Sequence, residues 1–113
     1  MKYLLLGATT EKGQGLSPAD LETWMAQIGA WYEKQGGAGT LADQGHQLAP
    51  PDQARTIRAS GVTDGPYIEA KEVLGGYTVL EAPSLEQAVE IARSWPGVDQ
   101  GLIVMEVRPV MAM

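Results

Sequence analysis

An α+β fold with one antiparallel sheet and two helices is what this sequence predicts, and three observations predict it. Two stretches repeat apolar residues at three- and four-residue steps, each behind a serine placed to cap a helix. Short apolar runs of strand length stand before and after both stretches. The first and last of those runs are apolar at both alternating positions, so both of their faces need cover. The chain has 113 residues and reads as a single domain, 1–113, large enough for a core but small enough that a missing wall would come from a partner.

Each element follows from local chemistry. Tyr3-Leu4-Leu5-Leu6 is a strand stopped by Gly7 and a polar stretch containing Gly13 and Gly15. Ser17-Pro18-Ala19-Asp20 starts the first helix: a hydroxyl to accept an orphan N–H, a proline at the first helical position, and a carboxylate at the positive helix end. Leu21, Trp24, Met25, Ile28, Trp31 and Tyr32 form its apolar stripe, and Gly36-Gly37 ends the pattern. Thr40-Leu41-Ala42 is a weak second strand, Leu48-Ala49-Pro50-Pro51 a break, and Ala54-Arg55-Thr56-Ile57-Arg58 alternates as a strand. The stretch Val62-Thr63-Asp64-Gly65-Pro66-Tyr67 reads as a hairpin tip at Asp-Gly or an inserted β-ribbon. Gly75-Gly76 opens the strand Tyr77-Thr78-Val79-Leu80. Ser84, with Gln87 three residues on, begins a second helix striped by Leu85, Ala88, Ile91, Ala92 and Trp95, and Pro96-Gly97 stops it. Leu102-Ile103-Val104-Met105-Glu106-Val107 is the last strand, closed by Pro109.

Strand, helix, strand, β insert, strand, helix, strand is the order of a ferredoxin-like sheet with both helices on one face. Leu102 and Val104 are expected on one face, and Ile103, Met105 and Val107 on the other. Two helices cover one face only, and a soluble monomer rarely leaves the other as a large apolar patch. Pairing of two subunits into a dimeric α+β barrel is the simplest cover; a monomer with a loop or ligand over the sheet is the alternative.

Composition excludes several functions. Hydrophobic residues at 44% and charged residues at 19% are ordinary for a folded domain. With 8 Lys and Arg against 14 Asp and Glu the net charge is -6, which repels nucleic acid and anionic membranes, and only Arg55 and Arg58 lie close together. No Cys is present, so thiolate chemistry and disulfides are excluded. The apolar start is too short for a signal-peptide core, and no run approaches the roughly 20 residues of a membrane span, leaving the cytoplasm as the expected location.

The run Asp64-Gly65-Pro66-Tyr67-Ile68-Glu69-Ala70-Lys71-Glu72-Val73-Leu74-Gly75-Gly76-Tyr77 resembles the signature of the DGPF branch of the YCII-related proteins, which reads approximately D-G-P-F-A-E-T-K-E-x-L-G-G-[FY]. Tyr stands for Phe at 67, Ile for Ala at 68 and Ala for Thr at 70. Met1-Lys2-Tyr3-Leu4, residues 54–58 and Glu106-Val107-Arg108-Pro109-Val110 look like the family as well. The resemblance implies a ferredoxin-like subunit in a dimeric α+β barrel. It implies, for some YCII-type relatives, a His–Asp pair in a pocket and a dehydrochlorinase- or isomerase-like reaction. In that pattern the His lies early in the first helix, where this chain has Asp20, Leu21, Glu22, Thr23 and Trp24. Genes of the branch often stand beside those of extracytoplasmic-function sigma factors, which implies a regulatory link.

Asp64 is the first catalytic candidate, since a carboxylate in a pocket that raises its pKa can accept a proton; the competing reading is a turn residue bonding nearby backbone N–H groups. His46, the single imidazole, is a candidate general base opposite Asp64, against a solvent-exposed loop His. Glu69, Lys71 and Glu72, and Tyr77 beyond them, are candidate substrate contacts, against a solvated hairpin arm. Trp24, Trp31 and Tyr32 line either the core or a cleft between the first helix and the sheet, with core packing favoured by their spacing. One His without a spaced partner gives no metal site, no Gly-rich stretch has dinucleotide or Walker spacing, and no Gly-x-Ser-x-Gly elbow exists, so neither metal nor cofactor is expected. Two readings follow: a cofactor-independent isomerase or lyase acting on a small molecule through Asp64, or a non-catalytic metabolite-binding or regulatory module linked to a sigma factor.

Overall fold

The computed structural model describes residues 1–66 and 73–112. Strand β1 (Lys2–Thr9) leads through a one-turn helix α1 (Glu11–Gln14) to the long helix α2 (Pro18–Ala38) and strand β2 (Leu41–Gln47). A hairpin of β3 (Arg55–Arg58) and β4 (Gly61–Asp64) precedes β5 (Val73–Glu81), helix α3 (Leu85–Arg93) and strand β6 (Ile103–Pro109). The main sheet is antiparallel throughout, in the order β2-β5-β1-β6, and β3-β4 forms a separate two-stranded sheet. The α+β class with an antiparallel sheet therefore holds, with three helices in place of two. No helix among the described residues is long and apolar enough to cross a membrane.

Helix starts fall where the capping residues put them. Ser17 Oγ accepts from the Asp20 N–H at 3.2 Å ahead of Pro18, and Ser84 Oγ accepts from the Gln87 N–H at 3.2 Å. The first helix, however, runs past Gly36-Gly37. Its stop is Gly39, whose φ of 73° is left-handed and whose N–H closes on the Gln35 and Gly36 carbonyls. A glycine inside a helix costs about 1 kcal/mol, which the packing of Trp24 and Trp31 offsets. Helix α1 has no apolar stripe and depends on tertiary bonds: Thr10 caps it, donates to the Gly101 carbonyl at 2.6 Å, and Lys12 Nζ donates to the Gln100 carbonyl at 2.8 Å.

The strands also extend beyond their apolar runs. Gly7 does not end β1, because residues up to Thr9 are paired on both edges, to β5 and to β6. Strand β5 begins at Val73, ahead of the glycine pair, and its register shifts opposite the step from Gly7 to Ala8. Asp64-Gly65 is not the hairpin tip. The chain reverses at residues 59–60, between the paired Arg58 and Gly61, and Asp64 stands opposite Arg55 at the open end of an inserted ribbon.

Cross-strand register sorts the side chains. Tyr3, Leu5 and Gly7 share a face with Leu80, Thr78 and Gly76 and with Pro109, Val107 and Met105. This face lies under α2 and α3, and Tyr3, Leu5, Thr78 and Leu80 are each at most 2% exposed. Trp31, Ala88 and Ala92 close the core over them. Leu4, Leu6, Val79 and Val104 alternate to the opposite face, where Leu4, Leu6 and Val79 stay half-buried and Val104 is exposed. Leu102 does not join them. It precedes β6, its carbonyl accepts from the Thr10 N–H, and its side chain is buried with Trp24 and Ile103.

Strand β2 holds the least regular backbone, with register shifts on both sides of Asp43. At Gly45, φ is 70°, and a Cβ there would lie 1.7 Å from the Tyr77 carbonyl oxygen. The bulge therefore accepts only glycine. Gly45→Ala should cost about 2–4 kcal/mol of stability, against about 1 kcal/mol for the cap variant Ser84→Ala. Urea unfolding of the two variants tests this, and a Gly45→Ala loss no larger than that of the cap would show the bulge to be dispensable.

Candidate binding cavity

A cavity of about 290 Å³ lies between α2 and the sheet. Helix α2 supplies Trp24, Met25, Ile28 and Tyr32 from successive turns of one stripe. Leu5, Ile103 and Met105 come from β1 and β6, Trp95 from the turn after α3, and the bulged segment 44–48 with Gly75 and Gly76 forms the remaining edge. Apolar and aromatic groups dominate, and no Asp, Glu, Lys or Arg is among the described lining residues.

The polar groups are few and specific. Tyr32 Oη and Thr78 Oγ1 are 2.6 Å apart, and Thr78 Oγ1 also reaches the Gln44 carbonyl at 3.3 Å. Either hydroxyl can donate in the short bond. Thr78 has one hydroxyl hydrogen: while it donates to the Gln44 carbonyl, Tyr32 donates to Thr78, and when it turns to Tyr32 the Gln44 bond is given up and the phenol hydrogen is released for a ligand. Burial raises the Tyr32 pKa by desolvating the phenolate, and the Thr78 bond opposes this in part. The phenol is therefore neutral across the physiological range and acts as a hydrogen-bond donor, not as a base.

The three tryptophans differ in how their N–H groups are satisfied. Trp24 Nε1 donates to the Pro96 carbonyl at 2.7 Å and Trp31 Nε1 to Ser94 Oγ at 2.8 Å. Trp95 Nε1 is buried and has no partner among the described residues. An unpaired buried donor costs about 1–3 kcal/mol. The Trp95 ring is fixed by its neighbours, with centroids 4.7 Å from Trp31 and 5.3 Å from Tyr32.

The residues singled out from sequence fall in different places. His46 borders the cavity at its edge, is exposed, and stands opposite Tyr77 with ring centroids 6.0 Å apart. Tyr77 borders the cavity too. Asp64 does not border it: its side chain is 89% exposed, and Oδ1 lies 3.2 Å from Arg55 Nε. Among the described residues no hydrogen bond or ion pair joins Asp64 to His46. Glu69, Lys71 and Glu72 lie outside the described residues. Trp31 belongs to the core, whereas Trp24 and Tyr32 wall the cavity, so the aromatic stripe serves both ends. Thr78 and Trp95 were not singled out as polar contacts. A signal for Thr78 is present, since it shares its parity with the inward Leu80 and so is a hydroxyl aimed at the helices. Trp95 has none, because its helical spacing reads as core.

Because the folded-state phenol pKa of Tyr32 is raised, its stabilising contribution is complete below the ordinary phenol value, about 10, and is lost as pH climbs through the raised value. Tyr32→Phe should cost about 1 kcal/mol at pH 7. Urea unfolding between pH 8 and 11 should show the wild type losing that advantage above pH about 10, and a constant gap across the range would contradict a buried, neutral phenol.

The whole chain, residues 1–113, matches the profile of the YCII-related domain. An uncharacterized protein of Rhizobium meliloti is 33% identical over 93 residues, covering 79% of this chain and 74% of that protein. Among solved structures, the chain is similar to the 5-chloro-2-hydroxyhydroquinone dehydrochlorinase TftG of Burkholderia phenoliruptrix, in complex with 2,5-dihydroxybenzoquinone. That likeness has a TM-score of 0.54 and 16% identity, over 100% of this chain and 96% of the other. The alternating sheet, its helical cover and the full-length match agree: the chain belongs to the YCII-related domain family.

Proposed function

We propose that this protein is a cofactor-independent isomerase or lyase of the DGPF branch, acting on a small planar molecule held between α2 and the sheet. The observation that carries the reading is the neutral Tyr32 phenol, hydrogen-bonded to Thr78, in a cavity walled mainly by apolar and aromatic groups, with Thr9, Gln44, His46 and Gln47 as its other polar lining. Isomerisation or elimination next to a carbonyl builds negative charge on oxygen, and a fixed donor in a dry site stabilises that charge. His46, at the glycine edge, is the group assigned to accept the substrate proton. Asp64 enters as a carboxylate supplied from the hairpin, and its ion pair with Arg55 has to open first. Glu69, Lys71, Glu72 and Tyr77 remain candidate substrate contacts at the same edge. The shared fold with TftG, a dehydrochlorinase solved with a hydroxyquinone, supports this reaction class.

The subunit on this reading is ferredoxin-like, resides in the cytoplasm, and pairs through the open face of its sheet. Leu4, Leu6, Val79 and Val104 on that face have no helix over them among the described residues, and the burial of such a patch is what supports pairing.

Thermal shift with 2,5-dihydroxybenzoquinone and hydroquinone should raise the wild-type Tm, and Tyr32→Phe should reduce the shift. Equal stabilisation of both proteins would remove Tyr32 from the site, and no shift with any planar probe would favour the regulatory module over the enzyme. Turnover of a chlorinated hydroxyhydroquinone, if found, should fall about 100-fold or more in His46→Gln. For the pairing, sedimentation at micromolar concentration should give a dimer for the wild type and a monomer for Val79→Arg; a monomeric wild type would refute it.

A further inference from the structure

We infer that Thr78 is a positioning residue for the Tyr32 phenol: by turning its one hydroxyl hydrogen between the Gln44 carbonyl and Tyr32 Oη, it sets the phenol to accept from a ligand hydroxyl or to donate to a ligand carbonyl. The inference rests on the reading that Tyr32 meets the ligand. It names what that contact selects: a ring oxygen that is a hydroxyl in one form of the ligand and a carbonyl in another.

The geometry is a chain of three oxygens. Tyr32 Oη and Thr78 Oγ1 are 2.6 Å apart with either able to donate, and Thr78 Oγ1 lies 3.3 Å from the Gln44 carbonyl oxygen. Two hydroxyls supply two hydrogens, so two arrangements keep the short bond. In the first, Thr78 donates to Gln44 and Tyr32 donates to Thr78, which leaves Tyr32 Oη open as an acceptor. In the second, Thr78 donates to Tyr32, and the phenol hydrogen turns away from Thr78 as a donor. The bond given up in the second is the long one, beyond the roughly 2.5–3.0 Å usual between hydroxyl and acceptor, so little is lost in the exchange. Thr78 is 1% exposed and does not itself reach a ligand, whereas Tyr32 is half-buried and lines the cavity.

The far end of the chain is the bulge of β2. Its pairing with β5 steps from Asp43–Val79 to His46–Tyr77, so Gln44 and Gly45 together stand across from Thr78. A Cβ on Gly45 would lie 3.1 Å from Thr78 Cα, which places the bulge directly on this residue. Segment 44–48 edges the cavity and carries His46. A carbonyl ligand that draws the phenol hydrogen therefore takes the Thr78 hydrogen away from the bulge, and a hydroxyl ligand leaves it in place. Ketonisation of a ring hydroxyl removes a proton from oxygen, forms C=O from an oxygen electron pair and delivers a proton to carbon through the former C=C pair. Reversal of Thr78 keeps Tyr32 hydrogen-bonded to the same ligand oxygen on both sides of that step.

The test uses 1-indanone, 4-indanol and indane as probes, with nitrogen–proton NMR on the full chain. The Gly45 amide nitrogen shares a peptide unit with the Gln44 carbonyl, and its resonance reports on hydrogen bonding there. Titration with 1-indanone should move the Gly45 nitrogen upfield, and 4-indanol and indane should move it less. In Thr78→Val the Gly45 nitrogen should already be upfield in the free protein and should not respond further to 1-indanone, whereas Thr78→Ser, which keeps the hydroxyl, should respond as the wild type does. Tyr32→Phe should weaken 1-indanone about fivefold or more, the effect of one hydrogen bond, and indane less than about twofold. Equal movement of Gly45 with all three probes, an undiminished response in Thr78→Val, or no response in Thr78→Ser would overturn the role of Thr78 while leaving Tyr32 a ligand contact. Equal weakening of 1-indanone and indane by Tyr32→Phe would remove the phenol contact and the inference with it. Failure of all three probes to bind would overturn the cavity reading as well. Should Thr78→Val not fold, the three-probe comparison in the wild type decides.

Discussion

Strand β1 is hydrogen-bonded along both edges, to β5 on one side and β6 on the other, and it is apolar on both faces. Every other element is arranged around that condition. Tyr3 and Leu5 are removed from water by α2 and α3, which lie on the same side of the sheet. Leu4 and Leu6, one residue along in each case, are half-buried, with no helix of the described residues above them. Because side chains alternate strictly along a strand, no change of register could place all four on one face.

The same strand explains why a cavity exists. Along the inward face of β1 the side chains shrink from Tyr3 and Leu5 to Gly7, and along β5 from Leu80 and Thr78 to Gly76. Where the residues are large, Trp31 fills the space above them and makes the core. Where they are glycine, the sheet falls away from α2 and the volume is bounded by Trp24, Ile28 and Tyr32 from the helix. The Tyr32–Thr78 hydrogen bond stands at the boundary between the filled and the open part, which is why one helical stripe contributes to both. Closing the cavity by giving Gly7 a side chain meets the Ile103 methyl, 3.1 Å from the added Cβ, so core packing keeps that position small.

The bulge at Gly45 couples this arrangement to β2. It presents the Gln44 carbonyl to Thr78 and carries His46 to the edge of the cavity beside Tyr77. The hairpin β3-β4 stands apart from this set. Ile57 and Val62, paired across it, are 79% and 64% exposed, and its Asp64 satisfies Arg55 of the neighbouring strand. Residues 64–66 and 73–77 are thus split between an exposed ribbon and the glycine wall of the cavity.

How much of this could be read in advance differs by the range of the interaction concerned. The sequence by itself determined the α+β class, the starts of α2 and α3, and the apolar character of both faces of β1. Those depend on contacts within a few residues: Ser17 and Ser84 bond the third residue on, and apolar spacing records burial directly. It misplaced the end of α2 because the left-handed conformation fell on Gly39, and the choice among neighbouring glycines is made by how the chain must leave for β2. It likewise placed the hairpin reversal at Asp64-Gly65, whereas strand pairing set it at residues 59–60. Only the tertiary structure decided the site. Tyr32 meets Thr78 across 46 residues and Trp31 meets Ser94 across 63, while Trp95 Nε1 has no acceptor among the described residues. A hydroxyl or an indole N–H carries no periodic signal of its partner, so which polar groups face the cavity is fixed by the packing of α2 on the sheet and by nothing local.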